Sequence, residues 1–292
     1  MKLLFNTTDY EETINYALKN LNNNNNYNNS VIFHCFWHGI LNEKHLYSIL
    51  SCYYFNIYNN NNNNKIILWL ENNIPNYYNI EIKKYAEIRT FSLIDELKEA
   101  QFMNNINYQS YNLSLYSDVV RYVLLYNYGG VWFDLDCLFL RCFNPLFNNF
   151  SNDICVYQWA NINFPNGAIY ISLEPKSNKM KKNILFIIER NRGWGFEEAN
   201  LTYDLNLDLL VLPCSWFDAS WISNPLKLSF NDFFINTTID YNFDNFFKGA
   251  FVYHWHNKWN NKIEDYSPCK RLINIIIYSI HENDQLKQLT KI

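Results

Sequence analysis

The stretch from Ser114 to Arg141 reads SLYSDVVRYVLLYNYGGVWFDLDCLFLR: a helix, a glycine stop and a buried strand that runs into two carboxylates. Tyr116, Val119, Val120, Val123 and Leu124 fall at i, i+3, i+4, i+7 and i+8, one apolar stripe of a helix. Gly129 and Gly130 end that helix, because glycine accepts the left-handed backbone that a helix terminus commonly needs. VWFDLD then reads as a short strand. The two-residue period of a strand puts Trp132, Asp134 and Asp136 on one face and Val131, Phe133 and Leu135 on the other. Asp118 and Arg121, three apart on the helix, lie side by side.

Two carboxylates on one face at a strand end repel each other and lose hydration, and a divalent cation is the usual compensation. Asp-x-Asp alone occurs by chance in many chains; the whole string is far more specific. It combines Ser117-Asp118, Arg121 three residues on, an apolar helix, Gly-Gly, and an apolar strand into Asp-x-Asp. That string resembles the DXD-type sugar transferases of the Och1-like mannosyltransferase and α-1,4-N-acetylglucosaminyltransferase group, and the glucosyltransferase domains of the large clostridial toxins. The resemblance implies an α/β fold of GT-A type, a central mostly parallel sheet flanked by helices with helical additions at the termini. It also implies a metal-dependent transfer of sugar from a nucleotide-diphosphate donor, with retention of configuration.

Composition is compatible with this and decides little. The 292 residues are 49% hydrophobic, enough for one large domain, and the net charge of −4 offers no basic footprint for nucleic acid. Tyrosine (23), phenylalanine (22) and tryptophan (9) are abundant, which suits a thick core and equally the stacking of sugars or bases. The seven cysteines include no CxxC pair and no zinc framework. No run approaches a membrane span, and MKLLFNTTDYEET lacks a signal-peptide core. A reduced, cytoplasmic setting is the expectation.

Read in order, residues 1–30 carry a short helix near Asp9 to Leu21 and an asparagine tract; a second tract spans Asn59 to Asn64. Asparagine competes for its own backbone, so both tracts read as loops. VIFHCFW (31–37) and KIILWLE (65–71) are strands, with a helix from Lys44 to Tyr58 between them. A strand-like piece follows near Ile80–Ile82, then a helix from Phe91 to Met103. Beyond the organising stretch, strands are expected at 153–160, 168–175, 208–217 and 249–259, with helices from Lys179 to Arg190 and Arg271 to Lys291. The expected organisation is one domain over 1–292, its catalytic core at 31–260 and a C-terminal helix at 261–292. Alternating strands and helices argue a parallel sheet, and ligands of such sheets sit at the carboxyl ends of the strands. Trp37-His38-Gly39 and Asp134-Leu135-Asp136 both lie at such ends and are expected to converge.

An acidic chain without a P-loop needs a cation to receive a diphosphate. Mn²⁺ or Mg²⁺ held by Asp136 with Asp134 would bridge the phosphate oxygens and act as a Lewis acid on the departing group. An ordinary solvated acidic strand end is the bland alternative. Asp118 and Arg121 could be a plain helix ion pair; the resemblance instead sets them against the donor sugar's hydroxyls, to which a carboxylate and a guanidinium are good fixed partners. Trp37 resembles the tryptophan of an FIWxGG-like segment that stacks on the nucleobase, although His38 intervenes and only Gly39 follows. HWHNKW (254–259) resembles an HHWxxSW-like segment, with Lys258 where serine is common. There His254 would join the metal shell or touch the diphosphate, and Trp255 and Trp259 would cover the donor. Asn166, in NGAIYIS, resembles an asparagine that reaches the donor sugar, and Trp132 joins the donor-binding set. The donor is expected to be a UDP- or GDP-sugar and the acceptor a glycan, protein or small molecule. Two other readings stand beside this one: a haloacid-dehalogenase-like phosphatase, whose nucleophile motif also ends a strand in Asp-x-Asp, and a non-catalytic sugar-nucleotide or glycan-binding module.

Overall fold

The computed structural model describes residues 2–21, 27–60, 63–102, 113–162, 165–190 and 208–289. Within them the strands are β1 (Lys2–Leu3), β2 (Ile32–His38), β3 (Lys65–Glu71), β4 (Glu87–Thr90), β5 (Gly130–Phe133), β6 (Cys137–Phe139), β7 (Ile154–Gln158), β8 (Pro165–Ser172), β9 (Leu209–Leu212) and β10 (Val252–His254). The α-helices are α1 (Tyr10–Asn20), α2 (Glu43–Tyr53), α3 (Tyr77–Ile82), α4 (Leu93–Ala100), α5 (Leu113–Tyr128), α6 (Asn144–Phe150), α7 (Asn178–Arg190) and α8 (Pro268–Leu289).

Eight strands form one sheet in the order β1-β9-β7-β8-β5-β2-β3-β4, and β10 pairs with β6 in a separate antiparallel ribbon. Only β8 runs against the others, pairing antiparallel with both β5 and β7. The sheet is therefore mostly parallel, and α5 connects its outer half to its centre. Strand side chains alternate between two apolar layers. Val131 and Phe133 face a core with Phe33 and Leu68, while Trp132 faces the other side with Ile67 and Trp69. The α5 residues Val119, Val120, Val123 and Leu124 are buried in that second layer, the stripe expected from their spacing.

The glycine stop is a steric requirement as much as a conformational one. Gly129 and Gly130 have φ of +64° and +112°, and a Cβ on Gly130 would lie 2.1 Å from the Ile32 carbonyl oxygen on β2. β2 and β5 can pair in parallel only because that Cβ is missing.

Three expectations need correction. Ile80–Ile82 is helical, belonging to α3, because Asn76 and Asn79 form a reciprocal capping box that starts a helix there; the strand comes later, at β4. The helix placed at Phe91 to Met103 is shorter, α4 alone, with Ser92 capping its first turn and Gln101 ending it in the left-handed region; Met103 lies outside the described residues. VWFDLD is not one continuous strand. β5 ends at Phe133, and Asp134, Leu135 and Asp136 form a turn into β6. The C-terminal helix begins at Pro268, and Lys291 lies outside the described residues. Among the described residues, no helix is long and apolar enough to cross a membrane. All seven cysteines are free.

Candidate active site

Trp37 at the end of β2, the Asp134–Asp136 turn after β5, Asn166 on β8 and the segment after β10 meet around one cavity of about 570 Å³. That volume suits a ligand of several linked rings. The convergence of strand ends expected from the α/β pattern is realised here.

The turn splits the two aspartates between two environments. The Trp132 indole donates to Asp134 Oδ1 at 2.7 Å, and Arg121 Nη2 lies 3.5 Å from the same oxygen. Arg121 also pairs with Asp118 at 3.1 Å, one turn earlier on α5. Its guanidinium carbon stands 5.5 Å from the centre of the Trp132 ring, its side chain is 6% exposed, and its Nε has no protein partner. Gly167 on β8 leaves the room this cation occupies: a Cβ there would sit 2.1 Å from Arg121 Nη1. Burial works against the charge, and the two carboxylates outweigh it, raising the guanidinium's pKa further.

Asp136 belongs to a histidine-rich cluster. Its Oδ2 lies 3.2 Å from His254 Nε2 and accepts the Asn257 backbone N–H at 2.7 Å. His256 and Asn257 are consecutive residues with φ of +49° and +55°, a left-handed turn that brings this N–H round to the carboxylate. Behind them Asp218, wholly buried, takes His256 Nε2 at 2.7 Å and stands 3.6 Å from His254 Nδ1, which also lies 2.9 Å from the Tyr157 hydroxyl. Burial alone would discharge the Asp136–His254 pair. Mutual attraction, with the Asn257 N–H on one side and Asp218 on the other, instead depresses the carboxyl pKa and raises the imidazole's.

This cluster has the chemistry of a cation site. Ligand atoms of Asp136, Cys137 and His254 lie within 4.8 Å of one another, as do those of Asp218, His254 and His256. Asp218 turns its Oδ2 to the two histidines, and its Oδ1 is buried with no partner among the described residues. Carboxylate and imidazole donors together fit a borderline divalent ion. Asp134, expected among the metal ligands, joins neither group among the described residues; Arg121 and Trp132 hold it instead.

Aromatic side chains close the ends of the cavity. Trp37 packs edge-on against His45 at 4.1 Å and lies 4.9 Å from Trp259, which stacks on His45 at 4.5 Å. Trp255 departs from expectation. It is 1% exposed, buried against Phe233, Phe234 and the far side of Trp259, and does not line the cavity. Trp255 is the residue after β10; its backbone N–H donates to the Asp136 carbonyl at 2.9 Å, and its side chain goes into the core while that of His254 lines the site. Sequence reasoning missed Asp218, Trp159 and Trp221, and gave His256 and Asn257 no role of their own within the 254–259 segment. Asp218 sits in an irregular segment, LPCSWFDASW, with no periodic or motif signal.

Residues 49–153, from α2 to the edge of β7, match the family described as "Glycosyltransferase sugar-binding region containing DXD motif". The expected DXD-type recognition holds, and the chain is an enzyme of the glycosyltransferase class. Among solved structures, the glycosyltransferase GlyE of Streptococcus pneumoniae TIGR4 is 11% identical with a TM-score of 0.50, covering 88% of this chain and 64% of GlyE. That likeness is one of fold, the GT-A type expected. The PaToxG glycosyltransferase (15% identity, TM-score 0.42, 68% of this chain and 71% of that one) also matches. So does the galactosyltransferase LgtC, solved with donor and acceptor sugar analogues (10% identity, TM-score 0.47, 85% and 95%). No curated protein matches the chain.

Proposed function

We propose that this chain transfers a hexosyl or N-acetylhexosaminyl group from a UDP- or GDP-sugar to an acceptor, in a reaction that needs a divalent cation, Mn²⁺ or Mg²⁺. The observation that carries the reading is the division of labour between the two aspartates. Asp136 stands with His254 in a cluster suited to a cation, and Asp134 stands with Arg121 and Asp118 in a cluster suited to a polyol.

Asp136 and His254 would hold the cation, with Asp218 and Tyr157 fixing the ring orientation of His254 from behind. When bound, the cation supplies positive charge to the diphosphate of an acidic chain's substrate. The other roles fall to the protein. Trp37 and Trp259 make a half-buried aromatic wall for the nucleobase. Asp118 and Arg121, which pair with each other at the cavity wall, fix the donor sugar through its hydroxyls. Asn166 Oδ1 is occupied by the Ala168 backbone N–H at 2.8 Å, which orients its amide nitrogen for a sugar oxygen. An acceptor hydroxyl attacks the anomeric carbon as its bond to the phosphate oxygen breaks, and the hydroxyl proton passes to the departing phosphate. Retention of configuration is proposed with this route.

A thermal-shift screen of UDP- and GDP-sugars with and without Mn²⁺ tests the reading. A rise in Tm that requires nucleotide sugar and cation together is the expected result. No rise with any donor, or a rise indifferent to Mn²⁺, would overturn it.

A further inference from the structure

The described tryptophans divide into two kinds. Trp69, Trp132, Trp216 and Trp255 are at most 3% exposed and belong to the core. The partly buried ones are Trp37, Trp159, Trp221 and Trp259, and all four line the same cavity. Trp37 and Trp259 form the wall already described. Trp159 and Trp221 form a second pair, ring centres 5.0 Å apart and planes tilted by 44°, backed by His256 at 3.9 Å from Trp221 and by Phe230.

Sheet topology sets the two pairs on opposite sides of the carboxylates. Trp37 ends β2, and Trp159 directly follows β7, which runs parallel to it with β8 and β5 between them. Three strand spacings separate the two tryptophans, on the order of 14 Å. A nucleotide sugar with its base on Trp37 and its diphosphate beside Asp136 brings its sugar to Asp118, Arg121 and Asn166. The Trp159–Trp221 side stays open for the second substrate.

We propose that Trp159 and Trp221 are an acceptor subsite and that the acceptor is a carbohydrate, seated by the apolar face of a pyranose ring on the indoles. A pyranose presents C–H groups on one face and hydroxyls at its rim. An aromatic wall takes the first, and the neighbouring His256 and Asn257, which also line the cavity, offer polar atoms to the second. A flexible peptide acceptor gains less from one rigid aromatic step. The proposal rests on the glycosyltransferase reading.

The test uses the full chain loaded with Mn²⁺ and the donor nucleotide found by the thermal-shift screen. Saturation-transfer NMR is run with methyl glucoside, methyl galactoside and methyl N-acetylglucosaminide, with a Ser/Thr-rich peptide and myo-inositol as controls. At least one glycoside should show transfer through its ring C–H face. Trp159→Ala should weaken that binding about tenfold, the loss of one aromatic contact, and Trp159→Phe should restore most of it. The donor's Kd should move less than about twofold in either variant, which also shows that the variants are folded. The acceptor assignment is overturned if donor binds and no glycoside does, if glycoside binding survives Trp159→Ala, or if the peptide binds in place of the glycosides. Failure of the donor itself to bind overturns the underlying glycosyltransferase reading instead.

Discussion

Gly167 and Arg121 are packed so closely that a single methyl group cannot be inserted between them: a Cβ on Gly167 would lie 2.1 Å from Arg121 Nη1. The guanidinium is the end of a flexible side chain, yet it is pinned by Asp118 at 3.1 Å and Asp134 at 3.5 Å. Gly167→Ala should therefore push Arg121 off its two carboxylates. Overpacking of this kind costs about 1–3 kcal/mol. The expected outcome is a donor KM raised about tenfold or more with a modest fall in Tm, measured by kinetics and thermal unfolding side by side. An unchanged donor KM would remove Arg121 from the donor site.

Asp136 and Asp218 should differ in degree. Asp136→Asn removes the charge that faces His254 at 3.2 Å and should abolish cation-dependent donor binding. Asp218→Asn keeps the shape behind His254 and His256 but weakens their orientation. Outer partners of this kind are typically worth 10- to 100-fold in metal affinity. Titration calorimetry with Mn²⁺ checks both, and equal loss in the two variants would make Asp218 a direct ligand.

Trp37 should contribute base stacking. Alanine substitution of a stacking aromatic costs about 1–3 kcal/mol per base, so Trp37→Ala should weaken UDP or GDP binding tenfold or more, and Trp37→Phe much less. Isothermal titration with the nucleoside diphosphate and Mn²⁺ reads this directly. Nucleotide affinity insensitive to Trp37→Ala would move the base elsewhere.

Two buried histidines away from the cavity centre predict acid sensitivity. His34 Nε2 donates to the Gly129 carbonyl at 3.0 Å, and its Nδ1 accepts the Trp69 indole N–H at 3.1 Å. Protonation at Nδ1 would set two donors against each other, and burial, outweighing the Gly129 bond, lowers the pKa to about 4. His45 is lowered to about 3, again chiefly by burial. In the unfolded chain each titrates near 6.5, so below that pH the unfolded state binds the proton first, and stability falls as pH drops from about 6.5 toward about 4. Each histidine should remove roughly 2 kcal/mol by pH 5. His254, raised by its aspartates, works in the opposite direction, its contribution fading as pH rises above 6.5 in the cation-free protein. Urea unfolding at pH 7 and pH 5 checks the sign; equal stabilities would refute it. His34→Leu should be less stable at pH 7 and show a shallower pH dependence.

Much of this molecule was readable from its chain because the relevant patterns are local. The stripe on α5 needed only the helical period, and the opposed burial of Val131 and Trp132 only the strand period. The Gly129–Gly130 stop was readable as a helix end, although the close approach of Ile32 that makes Gly130 sterically necessary was not. α3 was misread because a capping box of two asparagines outweighed the β-branched residues around it. Trp255, just past the end of β10, was misassigned because spacing alone does not say which of two neighbours faces the site.

The sequence by itself determined the α/β class, the strand and helix faces, the DXD-type recognition and most of the residues around the cavity, since each depends on periodicity or on residues close in the chain. Only the tertiary structure decided that Asp134 goes to Arg121 while Asp136 goes to His254, that Asp218 stands behind the histidines, and that Trp159 and Trp221 face Trp37 across the sheet. Those pairings join residues distant in sequence through strand order and through a turn between β5 and β6, and neither strand order nor the exit direction of a turn is encoded in any one segment.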